Sequence, residues 1–209
     1  MLNGIRERGV TLIEMVIGMA IVSLLLTLAM PSFTTFIQNT QIRNAAETTL
    51  QGINIARTNA VRLDTAVRFQ LVSDFSSACV LSPTTLNWIV SLADPTGLCN
   101  VTPVGDNASL AAVTATDPQI VQEQSAREGS ANVTVATIGG PSIVFNGLGR
   151  VVGAGTTQMD FTNPAGGTCQ YVDPTNGKMR CLRLQVATGG QTKLCDPQVG
   201  DPTDPRVCN

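Results

Sequence analysis

Residues 10–30 form an apolar run whose only strongly polar member is Glu14. At about 1.5 Å per residue a helix of that length covers roughly 30 Å, the hydrocarbon thickness of a bilayer, so the run reads as a transmembrane helix. After Pro31 the apolar positions thin to a stripe. Ile42, Ala45, Ala46, Thr49, Leu50, Ile53, Ala56 and Ala60 recur at three- and four-residue spacing, while Arg43, Glu47, Asn54, Arg57 and Arg62 fall largely elsewhere. One helix over residues 10–62, about 80 Å long, is the prediction: its first half lies in a membrane or filament, its second half packs on a globular head. Arg57 and Arg62 fall where a solvated helix face is expected. Pro31 removes an amide donor and predicts a kink or loosening.

Beyond the helix the period becomes two. Val67, Phe69 and Leu71 alternate with polar neighbours, as do Leu86, Trp88, Val90 and Leu92, then Val133 and Val135, Ile143 and Phe145, Met159 and Phe161, and Leu182, Leu184 and Val186. Turn punctuation separates these half-buried antiparallel strands at Asp94-Pro95-Thr96-Gly97, Gly139-Gly140-Pro141, Asn163-Pro164-Ala165-Gly166-Gly167 and Asp173-Pro174-Thr175-Asn176-Gly177. Residues 94–118 read as a loop-rich insertion. The fold class is α+β: the long helix covers one face of an antiparallel sheet in a single head over residues 63–209.

Composition narrows the chemistry. Histidine is absent, which removes His-based triads and zinc sites. The net charge of -2 gives no global attraction to nucleic acid. Six cysteines in this chain favour disulfides made in an oxidising compartment, and Arg6-Glu7-Arg8 ahead of the apolar run places the head outside the cytoplasm. There is no Cys-x-x-Cys and no histidine to lower a thiol pKa. No enzyme activity, catalytic residue, cofactor or metal site is predicted. Asp201 and Asp204 lack the ligand spacing of a calcium loop and read as solvated turn acids.

Glu14 is the exception within the run, since a carboxylate near a bilayer centre costs about 2.5 to 3.5 kcal/mol and so is retained for a partner. Arg8-Gly9-Val10-Thr11-Leu12-Ile13-Glu14, followed by the apolar stretch, resembles the class III signal of type IV prepilins. The resemblance implies a leader peptide over residues 1–9, cleavage by a prepilin peptidase between Gly9 and Val10, and methylation of the new amino terminus. It further implies that Glu14 pairs with the terminal amine of a neighbouring subunit and sets axial register, neutralising two charges inside a filament core. Pro31 stands where these helices commonly carry a proline. Val10 stands where the family most often has Phe.

Within that class the head resembles the GspH/FimT family. The carrying residues are Ile143-Val144-Phe145-Asn146-Gly147-Leu148-Gly149-Arg150 in the middle, and a tail in which Arg183-Leu184-Gln185-Val186 leads through Gly189-Gly190 to Leu194-Cys195-Asp196-Pro197 and Asp204-Pro205-Arg206-Val207-Cys208. Minor pilins of the FimT/FimU kind close with a similar cysteine-bounded loop, which the GspH pseudopilins of type II secretion usually lack. The implied function is a minor pilin that helps start pilus assembly and supports twitching motility, adhesion or DNA uptake. Its implied partners are the prepilin peptidase, other minor pilins, the major pilin and the inner membrane. The implied location is the bacterial inner membrane in a single pass with the head in the periplasm, then the pilus. A GspH-type pseudopilin and a DNA-binding tip receptor are the alternatives.

The six cysteines leave many connectivities open. The pairing adopted is Cys79 with Cys99, Cys169 with Cys181 across a hairpin at Asn176-Gly177, and Cys195 with Cys208, each closing a local loop that adds about 3 kcal/mol in the chain-entropy picture. FimT relatives linked to transformation carry a Gly-Arg-x-Arg stretch ahead of the closing loop. Gly190-Gln191-Thr192-Lys193 stands at those positions here, leaving one charge. Lys193, Arg183 and Arg206 are the candidate DNA contacts. Asp196, Asp201 and Asp204 offset the nearby cations, so the expected binding is weak.

Overall fold

The computed structural model describes residues 10–208 apart from Ala154, and the side chains of all of these except 28–32. Helix α1 runs Leu12–Leu63, 52 residues and about 78 Å. Thr11 caps its start, its Oγ1 accepting the Glu14 amide at 3.3 Å. Its end is set by Asp64, which turns left-handed at φ 49°, a conformation Asp tolerates because its short polar side chain bonds locally. The Thr65 amide then donates back to the Ala60 carbonyl at 3.2 Å.

Among the described residues eight strands follow: β1 Val67–Val72, β2 Asn87–Ser91, β3 Ile120–Gln124, β4 Thr134–Ile138, β5 Ser142–Phe145, β6 Gln158–Thr162, β7 Leu182–Val186 and β8 Thr192–Cys195. They form two four-stranded antiparallel sheets rather than the one expected, ordered β3-β2-β1-β5 and β4-β6-β7-β8. The alternation in the sequence located six of these strands. It missed β3, whose Ile120-Val121-Gln122-Glu123-Gln124 has no alternation and slips register against β2 between Val90 and Ser91. It also missed β8, where Thr192 and Lys193 precede Leu194 and the stretch reads as loop.

The core forms where α1 lies across both sheets. Ile42, Ala45, Ala46, Ile53, Ala56 and Ala60 are buried against Phe69, Trp88 and Phe145 of the first sheet and Met159, Phe161 and Leu184 of the second. The small helix residues bring backbone and sheet close, and Gly52 closest: a Cβ there would lie 2.9 Å from the Phe69 ring and 3.0 Å from Trp88. The first sheet is buried on its far side too. Val72, Ile89 and Ile120 pack there against Cys79 and Cys99, with Phe75, Leu81 and Val101 at the margin. This is why β1 and β2 are buried nearly throughout, where half-buried strands were expected: the loop-rich insertion folds back over them, and its disulfide forms part of that second core.

Candidate functional site

Residues 10–27, the start of α1 and the two residues ahead of it, are exposed throughout. Val10, Leu12, Ile13, Val16, Ile17, Leu24, Leu25, Phe33 and Phe36 are all exposed, on every side of the helix, so it has no polar face with which to meet water. Glu14 sits in the first turn, exposed among apolar neighbours, where the helix dipole favours a carboxylate. Gly9 lies outside the described residues, and so does the Pro31 side chain on which the kink was predicted; the helix assignment continues through position 31. Among the described residues no helix is long and apolar enough to cross a membrane.

Three disulfides join Cys79 to Cys99, Cys169 to Cys181 and Cys195 to Cys208, with Cα separations of 6.1, 5.6 and 5.2 Å. The loop inside the second is not the hairpin expected. Cys169 and Met179 make a single parallel bridge, and the chain reverses on Asp173, whose Oδ1 accepts the Thr175 and Asn176 amides. The third disulfide ties the C-terminal loop to β8. There the Asp201 carboxylate accepts the Thr203 amide and hydroxyl, the turn-acid role expected of it. Among the described residues no group of three or more His, Cys, Asp or Glu could hold a metal ion.

The cations around this loop are mostly neutralised. Arg183 on β7 meets Asp160 directly across on β6, two bonds of 2.6 and 3.0 Å that also raise its already high pKa. Arg206 grips Asp204, and that hydrogen bond holds the Asp204 carboxyl down at about 2. Arg180 bonds the buried Asp196 at 2.9 Å. Of the candidate DNA contacts, Arg183 and Arg206 are therefore not free charges. Lys193 stands on β8 opposite Gln185, half-buried, its ammonium paired with no carboxylate among the described residues. Gln191 is exposed in the preceding turn.

Arg57 corrects the sequence reading. It is half-buried, not solvated, and its Nε donates to the Gly149 carbonyl at 3.1 Å. Arg62 does lie on the exposed face, bonded to Asn59 one turn back. Asp160 went unnoticed and Arg57 was assigned to solvent because their roles depend on strand register and on a turn 92 residues away. Nothing in the local pattern marks them.

A long helix with an all-round apolar first part, capped ahead of a carboxylate set among apolar residues and packed on disulfide-bonded antiparallel sheets, defines a type IV pilin-like subunit. Residues 45–190 match the family described as type II transport protein GspH, and residues 5–30 match the prokaryotic N-terminal methylation motif. The chain belongs to the GspH family of pilin-like proteins. Two crystal structures of the type IV minor pilin FimU from Pseudomonas aeruginosa, strain PAO1, are similar at 16% identity. They cover 75% and 78% of this chain and 97% of FimU, with TM-scores of 0.42 and 0.44. No curated protein matches the chain.

Proposed function

We propose that the chain is a minor pilin of a type IV pilus, a structural subunit and not an enzyme, which helps initiate assembly near the tip. The observation that carries this reading is the exposed apolar stretch over residues 10–27, which falls within a methylation motif over residues 5–30. An exposed surface of that extent needs either lipid or the helices of other subunits. In this reading a prepilin peptidase cuts between Gly9 and Val10 and the new amine is methylated. Residues 10–30 hold the subunit in the inner membrane in a single pass with the head in the periplasm. Glu14 sets axial register against the terminal amine of a neighbouring pilin as the chain enters the filament beside other minor pilins and the major pilin. Pro31 loosens the helix where it leaves the apolar run.

Deleting the gene and complementing it with Glu14→Ala tests the reading. The variant should insert at least as readily, because a charge leaves the apolar run, and should fail to restore pili. Wild-type piliation by the variant would remove the register role. The match to the GspH family favours a second reading, a pseudopilin of type II secretion; loss of secretion with normal pili on deletion would select it. DNA capture, through Lys193 with Arg183 and Arg206 released from their acids, is the least supported role.

A further inference from the structure

We propose that the pole of the head farthest from the anchor seats an acid-rimmed, apolar surface on the anchor-facing side of the pilin-like subunit ahead of it, so that this chain is not the outermost subunit. The inference deepens the minor-pilin reading and rests on it. The helix α1 places the pole. Val61 and Arg62 stand about 47 Å along the axis past Met30, just before the left-handed Asp64 where the helix stops. The turn Asn146-Gly147-Leu148-Gly149-Arg150 after β5 packs on that helix end: a Cβ on Gly149 would come within 3.1 Å of the Val61 side chain, and one on Gly147 would strike Asp64. When subunits leave the membrane in succession with their helices parallel, this pole of each faces the one that left before it.

The turn holds an apolar side chain out in water and fixes it there. Leu148 is 77% exposed and Val61 beside it 53%. Asn146 Oδ1 accepts the Leu148 and Arg150 amides at 3.1 and 3.0 Å, and the Gly149 amide donates to the Asn146 carbonyl at 2.8 Å. From outside, Arg57 Nε holds the Gly149 carbonyl, and the Val151 amide donates to the Thr188 carbonyl at 3.1 Å. A turn so held has little freedom left to lose on binding, and a rigid apolar knob is what anchors a protein interface. The charge around it is one-sided. Arg62 and Arg150 are exposed, and among the described residues neither pairs with a carboxylate. Against them stand Asp64, turned onto Gly147, and the fractional negative charge of the helix end. At the anchor-facing pole, by contrast, Arg180 and Arg206 are matched by Asp196 and Asp204. The unmatched guanidinium groups select carboxylates, and Leu148 with Val61 selects an apolar hollow between them. This chain carries such a hollow on its own anchor-facing side, an open cleft of about 540 Å³ floored by Leu182 and Leu194. A nucleic-acid backbone meets the arginines and leaves Leu148 in water.

The test is photo-crosslinking in piliated cells that make the full chain with p-benzoylphenylalanine in place of Leu148 or, as a control, in place of Val80, which is 55% exposed between β1 and β2. Irradiation should join the Leu148 position to a protein that carries an N-terminal methylation motif, at an Asp- or Glu-containing peptide from the anchor-facing side of its head. The Val80 position should not give this adduct. Arg62→Gln with Arg150→Glu should lower the yield about tenfold and abolish piliation, whereas Arg62→Lys with Arg150→Lys should keep both. No adduct at Leu148 in a strain whose pili depend on the gene overturns the proposal alone. So do the same adduct from Val80, an adduct with a protein that lacks the motif, and an undiminished yield in the charge variant. A nucleic-acid adduct overturns it in favour of a nucleic-acid site. Normal pili in the deletion strain overturn the minor-pilin reading and the proposal with it.

Discussion

Arg57 and Gly149, 92 residues apart, are joined by a 3.1 Å hydrogen bond from the guanidinium Nε to the carbonyl oxygen. The bond gathers three segments. Gly149 turns at φ 70° after β5, and Gly190 turns at φ 82° between β7 and β8. A Cβ on Gly190 would collide with the same Gly149 carbonyl and come within 3.1 Å of the Arg57 Nε. Helix, first sheet and second sheet are thereby fixed to one another at the end of the head far from the anchor.

Arg57→Ala should destabilise the head by about 1 to 3 kcal/mol, because the buried Gly149 carbonyl loses its donor. Arg57→Lys should recover part of that. Gly190→Ala should cost more than Arg57→Ala, since it combines left-handed backbone with the collision. Urea midpoints at constant slope decide the order.

Much of the fold was legible because its cause is local. The stripe from Ile42 to Ala60 gave the helix, and period two gave β1, β2 and β4 to β7. What escaped depends on distance. The division into two sheets is set by pairing partners, not by any strand's own pattern, and β3 carries a bulge that scrambles its alternation. The methylation motif was legible because it lies in one linear segment. That Asp196 and Asp204 offset the cations around Cys195 was legible in the sequence, whereas Asp160, which holds Arg183, lies opposite it only through the β6–β7 register.

Gly52→Ala should destabilise although it raises helix propensity by about 1 kcal/mol. The new methyl would meet Phe69 and Trp88 at 2.9 and 3.0 Å, and both rings are fully buried and packed at 5.7 Å between centroids. Overpacking of about 1 to 3 kcal/mol then prevails. The emission of Trp88, the sole tryptophan, should shift, and an unchanged spectrum with raised stability would show that the rings give way.

Stability should fall on acidification. The Asp204 carboxyl is held at about 2 by its hydrogen bond to Arg206. Asp74, Asp173 and Asp201 are also lowered, by hydrogen bonds from Ser76, Asn176 and Thr203. Carboxyls lowered in the folded state stabilise above their unfolded values and lose that contribution as pH falls through the folded ones. The melting temperature should therefore hold from pH 7 to about 4 and decline towards about 2. Glu123 opposes this, because burial raises its pKa and its protonation favours the fold. Glu123→Gln should be more stable than wild type at pH 7, with the gap narrowing at pH 4. Thermal melts of both proteins across that range check the signs.

The full chain in detergent should bind duplex DNA weakly and without sequence preference, and Gln191→Arg with Lys193→Arg should strengthen it. Arg183, Arg206 and Arg180 already hold carboxylates, so few free charges remain to displace counterions. Positions 191 and 193 differ from them. Gln191 is exposed in the turn, and Lys193 lies on β8, where the strand and the Cys195 to Cys208 bridge hold the backbone. A guanidinium placed there meets phosphate with little ordering cost and in bidentate geometry. Each new phosphate contact should steepen the slope of log affinity on log salt by about 0.9. Titrations at several salt concentrations measure that slope. Tight binding by the unmodified chain at physiological salt, lost in Lys193→Ala, would make DNA capture a principal function and reverse the order of the readings.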